Sequence, residues 1–189
     1  MNAFILLTRS KTMDINDIKK KRLLYDKGED IYFSIYNILL LLKYLECVNE
    51  DKAFKDYRKL TFLIPIISDE VINTIFIDYY RAKNKINKNI RRRLSKIYNE
   101  GIENIAFIRY ILLILEKNNI IKLISEENKV DLYLCEKDKL EKFLLNPIFS
   151  DEVRRISNIK SNKYQIAKVS YSTFINNLFK INGVSVWEE

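Results

Sequence analysis

Between Asn104 and Leu134 the hydrophobic pattern changes from a helical to a strand period, and this switch limits what the chain can build there. Ile105, Ile108, Ile111, Leu112 and Leu115 recur at helical spacing, so the segment from Asn104 to Leu115 is read as a helix with one buried face. Asn118 and Asn119 follow, and asparagine tolerates the left-handed conformation that closes a helix. Ile120 to Ile124 and Lys129 to Leu134 are rich in β-branched and aromatic residues, with Val130, Leu132 and Leu134 alternating against Lys129, Asp131 and Tyr133. A hairpin turning through Ser125-Glu126-Glu127-Asn128 joins them. A helix followed by a hairpin is how the core of a winged-helix unit reads, and other α+β proteins carry the same pairing. Units of this kind bind nucleic acid or another protein.

The fold class follows as mainly α (α+β): a helical bundle with a winged-helix-like helix plus β-hairpin unit. Only three glycines and two prolines interrupt 189 residues, and 48% of the chain is apolar, which suits helices around one sizeable core or two small lobes. The expected division is an arm at 1–12 ahead of a second candidate start, Met13, a helical part at 13–100, and a winged-helix-like part with C-terminal helices at 101–189.

Along the chain the pattern predicts a helix from Ile15 to Tyr25, a turn at Lys27-Gly28-Glu29, and an almost wholly apolar central helix from an Asp30 cap to about Val48. A third helix is expected from Phe54 to Ile64, stopping near Pro65, and a fourth capped by Ser68. The words Pro65-Ile66-Ile67-Ser68-Asp69-Glu70-Val71 and Pro147-Ile148-Phe149-Ser150-Asp151-Glu152-Val153 agree at six of seven positions. A serine with acids behind it is a good helix start by simple physics, so both are read as helix starts and not as a duplication. Lys137 to Leu145 and Val153 to Ile159 read as short helices and Tyr164 to Phe179 as a longer one, with Val184 to Trp187 a strand or loose tail.

The chain has no histidine, which excludes Ser-His-Asp triads, Cys-His dyads and histidine metal sites. Three scattered glycines cannot form a phosphate loop, so neither ATP hydrolysis nor dinucleotide binding is expected, and no cofactor is assigned. Cys47 and Cys135 lack zinc spacing and are read as reduced, buried thiols. Glu50-Asp51-Lys52 has the Glu-x-Lys spacing of some metal-dependent nucleases but falls in an inter-helix loop with no aspartate on a strand ahead of it. The apolar stretch Ala3 to Leu7 is too short for a signal peptide and its basic residues follow it; Ile31 to Leu42 falls short of the roughly 20 residues of a membrane span. A cytoplasmic chain with no membrane association is expected.

The sharpest charge feature is Arg81, Lys83, Lys85, Lys88, Arg91, Arg92, Arg93 and Lys96, a run without one acid between its ends. Lysine and arginine at this density neutralise phosphates and release condensed counterions, so these eight are the candidate nucleic-acid-binding residues, with Tyr79 and Tyr80 beside them as stacking surfaces. A solvated helix end, or a surface that meets an acidic protein, would give the same run. A second basic stretch, Arg154, Arg155, Lys160, Lys163, Lys168 and Lys180, also lacks interspersed acids, and the two explain a net charge of +8.

Ile31-Tyr32-Phe33-Ser34-Ile35-Tyr36-Asn37-Ile38-Leu39-Leu40-Leu41-Leu42-Lys43-Tyr44-Leu45, then Asp56-Tyr57-Arg58-Lys59-Leu60 and Ile67-Ser68-Asp69-Glu70, resemble the small middle component of three-component ABC-ATPase systems. That family includes the C subunit of Lamassu-type bacterial anti-phage defence. Ile64-Pro65 stands where the family often has Asn-Pro. The resemblance implies a non-catalytic accessory subunit that joins an SMC- or Rad50-like ATPase to a nuclease effector, near DNA held by the ATPase. The alternative is a free-standing winged-helix transcriptional regulator or plasmid replication protein, with Ile105 to Leu115 near its recognition surface. A nuclease acting through carboxylates is the least favoured reading.

Overall fold

The computed structural model describes residues 30–81, 86–135, 137–162 and 164–187. The expected arm at 1–12, the helix Ile15 to Tyr25 and the turn at Lys27-Gly28-Glu29 lie outside the described residues.

Helix α1, Ile31–Tyr44, is the centre of the fold. The Asp30 carboxylate accepts from the backbone N–H of Tyr32 and Phe33 at 2.9 and 3.1 Å, which caps the first turn as read from the sequence. Ser34, Ile35, Asn37 and Ile38 to Leu42 are buried around its circumference, so a central place follows from the absence of a polar stripe. The helix ends earlier than Val48. Glu46 takes a left-handed conformation with φ 62°, and the N–H of Cys47 turns back to the carbonyl of Leu42 at 2.8 Å.

Two expected helix starts move. Phe54 is not helical; it pairs with Leu132 through two backbone hydrogen bonds of 2.8 and 3.0 Å. Helix α2 runs Leu60–Ser68 and passes through Pro65 instead of stopping there. A proline inside a helix costs about 3 kcal/mol. Leu60, Phe62, Leu63, Ile64, Ile66 and Ile67 are all buried on this one element, and each contributes about 1.5 to 3 kcal/mol, so packing outweighs the break. Helix α3, Glu70–Tyr79, is capped by Asp69 and not by Ser68: the carboxylate accepts from Val71 and Ile72 at 2.9 and 3.0 Å. The two helices meet at a 117° bend, and no single helix among the described residues is long and apolar enough to cross a membrane.

Helix α4, Lys88–Glu103, leads into α5, Ile105–Lys117, and then into strands β1, Ile121–Glu126, and β2, Lys129–Leu134. Ile121 faces Leu134 and Glu126 faces Lys129 in an antiparallel register. Asn119 adopts φ 58° between α5 and β1, so the helix, its asparagine stop and the hairpin stand as expected, with the turn shortened to Glu127-Asn128. The Phe54 bridge lies on the other side of β2, and β2 also receives the Cys47 carbonyl through the N–H of Leu134.

Helix α6 spans Lys137–Leu144 and α7 spans Ser150–Ser161, the latter entered through a tight turn at Pro147–Phe149 that Asn146 caps. The expected helix from Tyr164 to Phe179 forms only in its second half: α8, Tyr171–Ile175, continues as a wider π turn over Asn176–Lys180. Its first half is a turn, because Lys59 and Lys55 hold the carbonyls that a helix would need. Aromatic rings dock this segment, with Phe62 against Tyr98, Phe174 and Phe179, and Phe76 against Tyr80, Tyr164 and Phe174. The architecture is a mainly α helical bundle carrying one β-hairpin, and its buried apolar side chains form one cluster that runs from Ile35 to Val184.

Candidate nucleic-acid interface

The first basic run divides at the start of α4. Lys83 and Lys85 lie outside the described residues. Asn87 caps α4 by accepting from the N–H of Ile90 at 2.9 Å, which fixes Lys88 in the first turn. Leu94, Ile97, Tyr98 and Gly101 form the buried face of α4, and this spacing turns Lys88, Arg92, Arg93 and Lys96 outward as exposed side chains. Lys96 pairs with Glu100 at 3.5 Å. Lys88, Arg92 and Arg93 carry no ion pair among the described residues.

The second basic stretch behaves differently. Arg154 forks onto Glu70 at 2.6 and 3.2 Å, and Arg155 adds a bond to the same carboxylate at 2.9 Å while donating to the Ile67 carbonyl at 3.0 Å. Hydrogen bonds from Arg154 and Arg155 hold the Glu70 carboxyl down at about 2. Lys160 reaches Glu46 at 2.6 Å. The acids come from α3 and the end of α1, with Asp151 a further 3.8 Å from Arg154, so Arg154, Arg155 and Lys160 tie helices together. Lys163 lies outside the described residues.

Three cationic positions, two from the first basic run and one from the second, share one end of α4. Arg81, exposed and with φ 63°, donates its backbone N–H to the Asn177 carbonyl at 3.0 Å. The Arg91 guanidinium lies over Gly183, where an added Cβ would meet it at 3.3 Å. Gly183 needs its own φ of 73°, a conformation other residues adopt only under strain. Lys180 closes the π turn between these contacts. From Gly183 the tail follows α4 until the N–H of Trp187 donates to the Tyr98 hydroxyl at 2.9 Å.

Beside the C-terminal half of α4, at Tyr98 and Ile102, a cleft of about 1320 Å³ lies between the hairpin turn and α8, walled by Arg58, Tyr171, Lys129, Lys180, Asn176 and Trp187 among others. Arg58 stacks on the Tyr171 ring at 4.3 Å and pairs with Asp56 at 2.8 Å, and Lys129 pairs with Glu126 at 2.8 Å, so two carboxylates on the cleft wall are matched by cations while Glu127 sits at the turn. Trp187 is 78% exposed.

Several residues stand elsewhere than the sequence suggested. Tyr80 is buried between Phe76, Tyr164 and Phe174 and offers no free stacking face; Tyr79 is half-buried. Cys47 is buried, its thiol pushed up to about 12 by burial, but Cys135 is exposed. The Glu50 to Lys52 turn is exposed, with Asn49 as its cap. Among the described residues no group of three or more Cys, Asp or Glu is placed to hold a metal ion.

Sequence reasoning missed Lys59. It is wholly buried, its ammonium donating to the carbonyls of Ile166 and Val169 at 2.7 and 2.6 Å, with Ala167 at 3.4 Å and the Phe54 ring 4.5 Å away. The backbone N–H of Lys55 takes the Ala167 carbonyl at 2.8 Å. Burial pulls the Lys59 ammonium down to about 7, against the pull of Asp56. The signal was its spacing: Lys59 lies in line with Phe62, Leu63 and Ile66, on the face of α2 that enters the core. The chain matches no protein-family model, no curated protein and no solved structure.

Proposed function

We propose that this chain is a non-catalytic accessory subunit that contacts nucleic acid through the outward face of α4, bridging an SMC-like ATPase and a nuclease effector in an anti-phage defence complex of the Lamassu kind. The observation that carries the nucleic-acid part is the contrast between the two basic runs: Arg154, Arg155 and Lys160 are neutralised by Glu70 and Glu46, whereas Lys88, Arg92 and Arg93 meet no acid among the described residues. Side chains held outward on a rigid helix without internal partners suit a polyanion. The ATPase and nuclease partners rest on the resemblance of α1 and the Asp56 to Leu60 segment.

Co-expression with an SMC-like ATPase tests both parts. A stable complex whose DNA binding falls when Arg92 and Arg93 become Glu, with ATP turnover confined to the other chain, is the expected result. A chain that purifies apart from the ATPase as a homodimer favours the regulator. One observation supports that second reading: α5 precedes the hairpin and exposes Arg109, Tyr110, Leu113 and Lys117 along one face.

A further inference from the structure

We infer that the nucleic acid this protein takes is single-stranded, its backbone running along the α4 cations and its bases stacking at Trp187 in the mouth of the adjoining cleft. The inference rests on the nucleic-acid reading above and adds the substrate class.

The geometry has three parts. The chain folds so that Arg81 and Arg91 of the first basic run and Lys180 of the second come to one end of α4, which gives the phosphates a cationic start. The tail then holds a fixed line along α4: Gly183 sits under Arg91, Val184 is buried, and the Trp187 N–H is bonded to the Tyr98 hydroxyl at 2.9 Å. The backbone of Trp187 is therefore anchored while the residue is 78% exposed, an arrangement that presents its ring to solvent beside α4. The face of an indole stacks with any base.

The cleft behind Trp187 completes the fit. Its wall adds Lys180, the Tyr171 ring under Arg58, and the Ser172 and Asn176 side chains for base edges, while Arg58 and Lys129 are held by Asp56 and Glu126. A duplex has its bases paired and stacked internally and cannot present one to Trp187; a single strand can. A cationic track beside an aromatic platform is the pairing used for single strands without sequence preference.

Trp187 is the only tryptophan in the chain, so its emission reports on the site directly. The test is titration of the full chain with an unlabelled oligothymidine, followed by anisotropy with labelled oligothymidine and with a blunt duplex of equal length. Quenching of Trp187 by the single strand, binding of that strand tighter than the duplex, and a loss of about tenfold on the single strand alone in Trp187→Ala support the inference. Trp187→Phe should recover part of the loss. Thermal unfolding of both variants should match the parent, because the indole lies outside the core.

Equal affinity for both nucleic acids, no quenching, and no effect of Trp187→Ala overturn the single-strand inference while an Arg92→Glu/Arg93→Glu loss keeps the nucleic-acid reading. Absence of salt-sensitive binding to either probe removes both.

Discussion

The ammonium of Lys59 donates to the carbonyl of Val169 at 2.6 Å from a position with no solvent exposure. This bond, with its companion to Ile166, replaces the helix that residues 164–169 would otherwise form and fixes the approach of the C-terminal segment to α2. It also sets a pH dependence. Burial holds the folded ammonium near 7 against about 10.4 for an unfolded lysine. Above about pH 7 the unfolded chain therefore binds more protons, and this contribution to stability is full above the unfolded value and is lost as pH falls toward 7. Urea unfolding should show stability rising by roughly 1 kcal/mol between about pH 7 and 8, where the raised Cys47 thiol opposes it only slightly. Lys59→Met should flatten that rise. A parent curve that is level or falling over the same range sinks the assignment.

Gly101 tests the packing of α4 on α2. A Cβ at this position would overlap the Phe62 ring, which Tyr98, Phe174 and Phe179 hold from other sides. Helix propensity alone favours Ala over Gly by about 1 kcal/mol, but overpacking a fixed ring costs about 1 to 3 kcal/mol. Gly101→Ala should therefore destabilise on balance, as a lower urea midpoint with unchanged slope. A stabilised variant would mean that the ring yields.

The cap of α3 separates two neighbours that look equivalent in sequence. Asp69 accepts two backbone bonds at 2.9 and 3.0 Å, whereas the Ser68 hydroxyl turns back to the Pro65 carbonyl at 3.4 Å. Asp69→Ala should cost about 1 kcal/mol and Ser68→Ala no more than about 0.5. Equal losses in thermal unfolding would return the cap to Ser68.

What the sequence made readable is what local spacing controls. The apolar period fixed α5, Asn118 and Asn119 marked its end, alternation fixed the hairpin, and Asp30 marked the start of α1. What it hid depends on residues far along the chain. Phe54 leaves the expected helix because Leu132 supplies its backbone partners, and Tyr164 to Ser170 leaves another because Lys59, more than 100 positions earlier, takes its carbonyls. The two basic runs looked alike for the same reason. Glu70 and Glu46, which neutralise Arg154, Arg155 and Lys160, come from α3 and the end of α1, and only folding shows that Lys88, Arg92 and Arg93 meet no acid among the described residues. Tyr80 read as a surface ring beside charge until Phe76 and Tyr164 closed over it.

The most direct test of the central claim is the salt dependence of DNA binding by the parent chain and by Arg92→Glu/Arg93→Glu, measured by anisotropy from low to moderate salt. Arg91 is left in place because it packs over Gly183. The expected result is an affinity that falls steeply with salt in the parent and a slope shallower by about 1.5 to 2 in the variant, each arginine neutralising one phosphate, at unchanged thermal stability. Coincident binding curves and slopes for the two proteins would contradict the claim that α4 faces nucleic acid.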